Sequence, residues 1–276
     1  MGGRCPALEL CADNFTMLPY INIFSRTVPM YGVMTAAGAL CALLYLALTN
    51  RKFPELAKDN ELFALCAALG AFFGAKLLYL LVELPELMGD IRYITEQPAA
   101  FAEKYLFSGF VFYGGLYGGL YAVFVYSRAA RLPLSRTLGY LLPVFPLIHA
   151  FGRIGCFLMG CCYGKPWTAG MAFYNSPIAP NGVPLVPVQL IEAAGEFLLF
   201  CALAYLSRRT SGRKMLTFYI LAYSVMRFLL EFWRGDIQRG FIGVLSVSQV
   251  IAVLSVLMCT GYIAMKKLSA RRESGK

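Results

Sequence analysis

Charged residues are scarce in this sequence. Only 14% of its 276 residues are Asp, Glu, Lys or Arg, whereas 59% are hydrophobic. This composition excludes a soluble globular protein, and long apolar runs with few charges are typical of membrane-spanning helices. We therefore expect an all-α, polytopic membrane protein with a single membrane domain over residues 1–276.

The N-terminus has no apolar core of the kind that a cleavable signal peptide needs. The first membrane span is therefore expected to act as the targeting signal. No apolar segment precedes Cys5, so this cysteine does not resemble a lipidation site. Cys5 and Cys11 flank a short stretch, and they can form a disulfide if this end of the chain lies outside the cytoplasm.

Acidic residues are few relative to basic ones, 15 against 25, which gives a net charge of +10. Such an excess can indicate nucleic-acid binding. Here the basic residues lie mainly in the short connections between apolar segments, and membrane topology explains that distribution. We therefore expect no nucleic-acid partner.

Seven apolar segments predict seven membrane-spanning helices. If the C-terminus is cytoplasmic, fifteen basic residues face the cytoplasm and seven face outside, which predicts an outer N-terminus. The connection Glu83–Lys104 has apolar residues between its charges, so part of it is expected to form an interfacial helix. The predicted spans are Val28–Leu48, Glu61–Val82, Gly109–Tyr126, Leu138–Met159, Val188–Leu206, Met215–Trp233 and Gly243–Met265.

Ionisable side chains inside these spans need a physical reason, because a charge at membrane depth is costly unless it is paired or solvated. Lys76 is expected to reach the interface or to pair with a glutamate. Arg153 and Arg227 lie on different predicted helices, and two guanidiniums at similar depth can clamp a phosphate. The alternative is that each arginine pairs with a glutamate in a buried network. The intramembrane glutamates are Glu192, Glu196 and Glu231.

The spacing of these glutamates predicts their partners. Glu231 follows Arg227 by four residues, so the two can pair across one helical turn. Glu192 and Glu196 are also four apart, so one of them should be neutral or both should point at cations. Gln189 shares the helical face of Glu192.

The only histidine, His149, lies four residues before Arg153 on the same helical face. It is either a packed, hydrogen-bonded residue or the best general base in the chain, because its ordinary pKa is near neutral. With Cys156, Cys161 and Cys162 it offers the ligand types of a zinc site. The spacing is not a standard zinc pattern, and adjacent cysteines do not easily face one ion. We therefore predict no metal and no cofactor, and favour a disulfide or a reactive thiol.

Two glycine pairs lie in the segment Tyr113-Gly-Gly-Leu-Tyr-Gly-Gly-Leu120. In a membrane helix, small residues usually permit close packing against a neighbouring helix. The alternative is a helix break that brings backbone close to a ligand, with Tyr113 facing that site.

Several segments, in order along the chain, resemble those of the prolipoprotein diacylglyceryl transferase family. The segment Gly152-Arg-Ile-Gly-Cys-Phe-Leu-Met-Gly-Cys-Cys-Tyr-Gly164 is similar to the family signature Gly-Arg-(Ile/Leu)-Gly-Asn-Phe-x-Asn-Gly-Glu-x-x-Gly. The other segments are Tyr31-Gly32, Tyr113-Gly-Gly-Leu116, Pro187-Val-Gln-Leu-Ile-Glu192, Arg227-Phe-Leu-Leu-Glu-Phe-Trp-Arg234 and Ser248-Gln249.

The resemblance implies a transferase of the bacterial plasma membrane, active in lipoprotein biosynthesis. Such enzymes move the diacylglyceryl group of phosphatidylglycerol onto the lipobox cysteine of a preprolipoprotein. The products are a thioether and glycerol phosphate. The catalytic residues that we predict are His149, Tyr113, Arg153 and Arg227. The predicted substrate-binding residues are Tyr31, Gly114, Gly115, Cys156, Gly164, Gln189, Glu192, Glu231 and Arg234.

Three positions depart from the family pattern. Tyr113 replaces a histidine, Cys156 an asparagine and Cys161 a glutamate. Tyrosine is a weak base at neutral pH, so His149 is the expected replacement for the family histidine. Two further hypotheses follow from these departures: a related transferase with another acceptor or cysteine-based chemistry, and a membrane protein that binds lipid without catalysis.

Overall fold

A computed structural model describes residues 15–23, 26–52, 54–107, 109, 112–131, 134–207, 209–236 and 241–274. It is mostly helical, and six helical segments are long and apolar enough to cross a membrane, which confirms the predicted polytopic membrane protein. These segments are Met30–Asn50, Glu61–Val82, Leu138–Met159, Val188–Leu206, Gly212–Trp233 and Val247–Ser269.

The third predicted span is also helical, but it is rich in glycine and tyrosine and is not among these six. The number of spans and the outer position of the N-terminus remain predictions. The α-helices of the described residues are α1 (Met30–Lys52), α2 (Pro54–Val82), α3 (Leu84–Gly89), α4 (Tyr93–Glu96), α5 (Pro98–Ala102), α6 (Phe112–Ala129), α7 (Leu134–Leu141), α8 (Val144–Met159), α9 (Val188–Leu206), α10 (Gly212–Leu230) and α11 (Val247–Ser274).

Short irregular helices and strands complete the secondary structure. Asp90–Arg92 and Glu231–Trp233 are 3₁₀ turns, and Glu103–Phe107 is a π-helical turn. The strands are β1 (Phe15–Thr16), β2 (Tyr20–Ile23), β3 (Arg26–Pro29), β4 (Pro166–Tyr174), β5 (Pro184–Leu185), β6 (Phe241–Ile242) and β7 (Leu245–Ser246).

The contacts divide the chain into two compact units, which we call the middle unit (Leu46–Leu141) and the terminal unit (Met1–Tyr45 with Leu142–Lys276). In the middle unit α2 and α6 pack closely through glycines. A Cβ atom added at Gly74 would lie 2.8 Å from the Cα atom of Gly118, so only glycine permits this approach. Because α6 is unbroken from Phe112 to Ala129, the packing prediction is confirmed and the predicted alternative of a helix break is wrong.

The connection after α2 contains α3, α4 and α5, so part of it is helical, as predicted. Lys104 Nζ lies 2.9 Å from Asp90 Oδ2 and 3.2 Å from Glu86 Oε2. The hydroxyl of buried Tyr105 donates to Asp90 Oδ2 at 2.8 Å. Lys76 Nζ donates to the carbonyl of Gly109 at 3.4 Å.

In the terminal unit α8 packs against α9, α9 against α10, and α10 against α11. A Cβ added at Gly155 of α8 would lie 3.0 Å from Tyr31 Cα, which places the start of α1 against α8. The helix α8 ends where Gly160 adopts a left-handed conformation, with φ of 74°. Its amide donates to the carbonyls of Cys156 and Phe157, which closes the last turn.

The connection that follows α8 folds into a small sheet of order β1-β4-β5. Strand β1 is parallel to β4, and β5 is antiparallel to it. Two antiparallel hairpins, β2–β3 and β6–β7, lie elsewhere in the terminal unit. A buried apolar cluster of Met17, Phe157, Phe173, Ala179 and Leu185 joins the sheet to the end of α8. None of these strands was predicted from the sequence.

Candidate active site

Two arginine–glutamate pairs lie inside the helices of the terminal unit. Arg153 Nη2 on α8 is 2.9 Å from Glu192 Oε1 on α9. Arg227 Nη2 on α10 is 2.8 Å from Glu231 Oε2, one turn further along the chain. Both carboxylates are buried. The predicted Arg227–Glu231 pair is confirmed, and of the two alternatives for the α9 glutamates the structure shows Glu192 pointing at a cation.

The pairs do not use all of the guanidinium nitrogens. Arg227 Nη2 also donates to Ser248 Oγ at 3.2 Å. Arg153 Nε and Arg227 Nη1 are buried without a hydrogen-bond partner among the described residues. Both arginines lie close enough to the Tyr223 hydroxyl to interact with it electrostatically. Because buried donors are costly when unsatisfied, each of these two nitrogens is available to donate to a ligand oxygen.

His149 forms a contact with the second glutamate of α9. Its Nδ1 atom lies 2.6 Å from Glu196 Oε1, and Glu196 is fully buried whereas His149 is partly exposed. The ring of Tyr223 meets the His149 ring edge-on, with centroids 5.6 Å apart. Tyr223 was not predicted, although it lies four residues before Arg227 and therefore shares its helical face.

Arg234 lies beyond the end of α10, in contact with a carboxylate that was not predicted from the sequence. Its Nε and Nη2 atoms donate to the two oxygens of Asp236 at 3.0 and 2.6 Å. Burial opposes the charge of Arg234, but the bidentate Asp236 contact outweighs it and raises the arginine pKa. A spacing of two residues in a loop is not a recognisable pairing signal, which is why Asp236 was overlooked.

Gly164 brings the loop after α8 against the loop that holds Arg234. The two residues form an antiparallel bridge, and the amide of Gly235 donates to the carbonyl of Tyr163 at 2.9 Å. A Cβ added at Gly164 would lie 2.8 Å from Val186 Cβ. Gly164 is therefore required for close packing of this loop, and its contact with a substrate remains a prediction.

Gln189 and Tyr31 border the same loop. Buried Gln189 donates from Nε2 to the carbonyl of Cys161 at 2.8 Å, so it fixes the backbone beside the cysteines. Tyr31 is partly exposed, and its hydroxyl interacts electrostatically with Cys156 and Arg153. The structure thus brings both predicted residues to the Arg153 region.

The sulfur atoms of Cys156, Cys161 and Cys162 come together at the end of α8, all within 4.8 Å of one another. Adjacent cysteines were not expected to face one ion easily, yet both sulfurs point into this cluster. Cys162 adopts a left-handed backbone with φ of 57°, which changes the direction of its side chain. His149 is not part of this cluster.

The electrostatic surroundings of the cysteine cluster favour a thiolate at Cys162. Hydrogen bonds from the other two thiols, and then the positive charges of Arg234 and Arg153, hold the pKa of Cys162 well below its ordinary value. Hydrogen bonding with Cys156, and then with Cys162, raises the pKa of Cys161 above its ordinary value. All three cysteines are free thiols in the structure.

The remaining predicted site residues lie in the middle unit. Gly114 faces the α2 backbone at Gly74, and a Cβ added at Gly115 would lie 3.2 Å from the carbonyl oxygen of Ala71. The side chain of Tyr113 lies outside the described part of the chain, as do Cys5 and Cys11. The substrate-binding role of the two glycines and the catalytic role of Tyr113 remain predictions.

Known proteins resemble this chain over nearly its whole length. The family model for prolipoprotein diacylglyceryl transferase matches residues 19–265. The chain belongs to the prolipoprotein diacylglyceryl transferase family. It is 36% identical over 243 residues to the phosphatidylglycerol–prolipoprotein diacylglyceryl transferase of Clostridium tetani, covering 86% of this chain and 92% of that protein.

Two further relatives carry the same description. The chain is 32% identical over 260 residues to phosphatidylglycerol–prolipoprotein diacylglyceryl transferase 2 of Clostridium perfringens, covering 92% of this chain and 97% of the relative. For the protein of a Marinomonas species the identity is 30% over 256 residues, with coverage of 88% and 90%. The resemblance inferred from the spaced motifs is thus confirmed, and the chain is a membrane transferase of this family.

Proposed function

We propose that this chain transfers the diacylglyceryl group of phosphatidylglycerol to the thiol of a lipobox cysteine in a preprolipoprotein. It acts in the bacterial plasma membrane, with its N-terminus outside. The observation that carries this proposal is that Arg153 Nε and Arg227 Nη1 are buried without a hydrogen-bond partner in the described part of the chain. An anionic phospholipid offers the phosphate oxygens that would satisfy both.

The two arginines supply the positive charge that stabilises glycerol phosphate as it leaves. When the carbon–oxygen bond to the phosphate breaks, negative charge develops on the leaving oxygen. Arginine stays charged and binds phosphate oxygens in a fixed fork, so two arginines orient the head group as well as stabilising it. Glu192 and Glu231 hold one nitrogen of each fork and thereby aim the others.

His149 is the proposed base for the acceptor thiol. Its contact with Glu196 places the proton on Nδ1 and leaves the lone pair of Nε2 available. Nε2 removes the thiol proton, the thiolate attacks the diacylglyceryl carbon, and the carbon–oxygen bond to the phosphate breaks. The products are the thioether of the acceptor and glycerol phosphate.

Complementation and reconstitution test this function together. Expression in a strain depleted of its own transferase is expected to restore lipidation of lipobox proteins. Purified protein in phosphatidylglycerol vesicles is expected to release glycerol phosphate only when a lipobox peptide with its cysteine is present. A peptide with serine in place of that cysteine is the control.

A non-catalytic role is the competing hypothesis, and the ion pairs favour it to the extent that each arginine already has a carboxylate partner. Phosphatidylglycerol binding without release of glycerol phosphate, in a well-folded preparation, would reject the transferase proposal. Release with another thiol acceptor, but none with a lipobox peptide, would support the related-transferase hypothesis.

A further inference from the structure

Three cysteine sulfur atoms meet at the end of α8, and the transfer described above makes no use of them. The Sγ atoms of Cys156, Cys161 and Cys162 all lie within 4.8 Å of one another. Cys156 is buried and the other two are partly buried. This is the one group of three or more potential metal ligands found among the described residues.

The backbone of the loop is shaped to bring these sulfurs together. Gly160 takes a left-handed conformation directly after α8, and Cys162 takes another two residues later. A left-handed conformation is uncommon for a residue with a side chain. The Cys161 amide donates to the carbonyl of Cys156 at 3.0 Å, and the Cys161 carbonyl accepts from Gln189 Nε2 at 2.8 Å. Both ends of the peptide at Cys161 are therefore held in place.

We propose that Cys156, Cys161 and Cys162 bind one Zn²⁺ ion as three thiolate ligands. Zinc bonds sulfur at about 2.3 Å in a tetrahedron, which places its sulfur ligands about 3.8 Å apart. The observed spacing of up to 4.8 Å therefore closes onto the ion through small side-chain movements. Three thiolates and Zn²⁺ carry a net charge of −1, and the nearby charges of Arg153 and Arg234 complement it.

A zinc ion with three protein ligands keeps a fourth position for water or a substrate. We assign this position to the acceptor thiol, an assignment that rests on the proposed function. A free thiol with a pKa of about 8.5 is mostly protonated at neutral pH, whereas coordination to a cation removes its proton outright. The acceptor thiol would displace the bound water, zinc would lower the pKa of that thiol, and His149 Nε2 would take its proton as in the transfer proposed above. The bound thiolate then forms the carbon–sulfur bond as the phosphate leaves, and zinc does not change oxidation state.

Metal titration of the full-length protein in lipid nanodiscs tests the site without any assay of activity. The protein is stripped with a chelator under reducing conditions, titrated with Zn²⁺ alone and analysed by mass spectrometry. We expect one Zn²⁺ per chain in the wild type and in Cys201→Ser, the matched control. In Cys161→Ser the affinity should fall by more than about 100-fold, since even outer-shell partners contribute about 10- to 100-fold.

The wild type also provides a test that does not depend on the folding of a variant. Co²⁺ in place of Zn²⁺ should give the intense sulfur-to-cobalt absorption of thiolate ligation. Equal zinc affinity of the wild type and Cys161→Ser, or no such absorption in the wild type, would overturn the proposal. A disulfide between two of the three cysteines that resists the reducing agent and prevents metal binding would also overturn the proposal.

A lipobox peptide separates the fourth ligand from the reaction itself. Adding the cysteine peptide to cobalt-loaded protein should strengthen the sulfur-to-cobalt absorption, and the serine peptide should leave it unchanged. An unchanged spectrum with the cysteine peptide overturns the assignment of the fourth position. If the spectrum changes but no glycerol phosphate is released, the proposed function fails and the metal site stands. If zinc-stripped protein transfers at full rate, the catalytic role of zinc fails and the proposed function stands.

Discussion

The two units of this chain solve the problem of packing helices in different ways. In the middle unit α2 and α6 approach through facing glycines such as Gly74 and Gly118. In the terminal unit α8, α9 and α10 carry buried ionisable side chains that pair across helices or along them. All buried charged side chains of the described residues lie in the terminal unit.

This difference separates packing from function. Close glycine contacts are an inexpensive way to associate membrane helices, because they need only van der Waals contact. Buried charges are costly and need compensation by partners or ligands. The terminal unit contains two buried guanidinium nitrogens that have no hydrogen-bond partner among the described residues, and a group of three thiols, which helix packing alone does not require. We therefore expect the functional site in the terminal unit.

Substitution of the arginines in the terminal unit should have the largest effect on function. Arg153→Lys and Arg227→Lys keep the charge but remove the fork that binds phosphate. We expect the rate of transfer to fall by about 10²- to 10³-fold, the usual cost of losing one stabilising donor. Glycerol phosphate release from phosphatidylglycerol vesicles is the measurement.

The matched control for these variants is Arg213→Lys, an exposed arginine on the same helix as Arg227. Its rate should equal that of the wild type. If Arg227→Lys retains the full rate in protein that melts at the wild-type temperature, the phosphate clamp is incorrect.

The His149–Glu196 pair should give the next largest effect. Glu196→Gln removes the buried charge that orients the imidazole, and we expect a fall in kcat of about 10- to 100-fold with little change in KM. The expected loss is a part of the rate acceleration of about 10²- to 10⁴-fold that a positioned base supplies. His149→Gln should cause at least as large a loss, and the double variant should be no worse than His149→Gln alone. Independent, multiplying losses would show that the two residues do not act as a unit.

The helices were predictable where local signals agree. The boundaries of α9 match the prediction at both ends because Pro187 precedes it and a polar, basic segment follows it. The predicted span Leu138–Met159 is likewise one of the six candidate spans, although a turn at Pro143 divides it into α7 and α8. The strand β4 was missed because it is stabilised by pairing with β1, about 150 residues earlier, and no local signal records such a partner.

The site was predictable in its residue types but less so in its pairings. The cost of intramembrane charge identified both arginines and all three glutamates. Spacing gave the Arg227–Glu231 pair, but which glutamate of α9 meets Arg153 and which meets His149 depends on the register of α8 against α9, and spacing within one helix does not give that register. The convergence of the cysteine sulfurs depends on the left-handed backbone of Cys162, and cysteine does not ordinarily signal that conformation.

The glycine contact of the middle unit should be sensitive to a single methyl group. Gly74→Ala places a Cβ 2.8 Å from Gly118 Cα, so α2 and α6 must separate. Overpacking of this kind costs about 1–3 kcal/mol, and we expect a lower melting temperature in detergent. Gly261→Ala is the control, because a Cβ there has open space around it. Equal melting temperatures for the two variants would show that the glycine contact does not stabilise the middle unit.

The smallest effect is expected at the connection between α2 and α6. Hydrogen bonds from Lys104, and then from Tyr105, lower the pKa of Asp90. A carboxyl group whose pKa is lowered in the folded state stabilises that state at pH values above its unfolded pKa of about 3.9. This stabilisation is lost only as the pH falls through the folded-state pKa. Protection of residues 84–107 from hydrogen exchange, corrected for the intrinsic rate, should therefore be equal at pH 5 and pH 8. Asp90→Asn should reduce this protection slightly at both pH values, and Glu86→Gln should reduce it less. Protection that rises between pH 5 and pH 8 in the wild type would contradict the lowered pKa of Asp90.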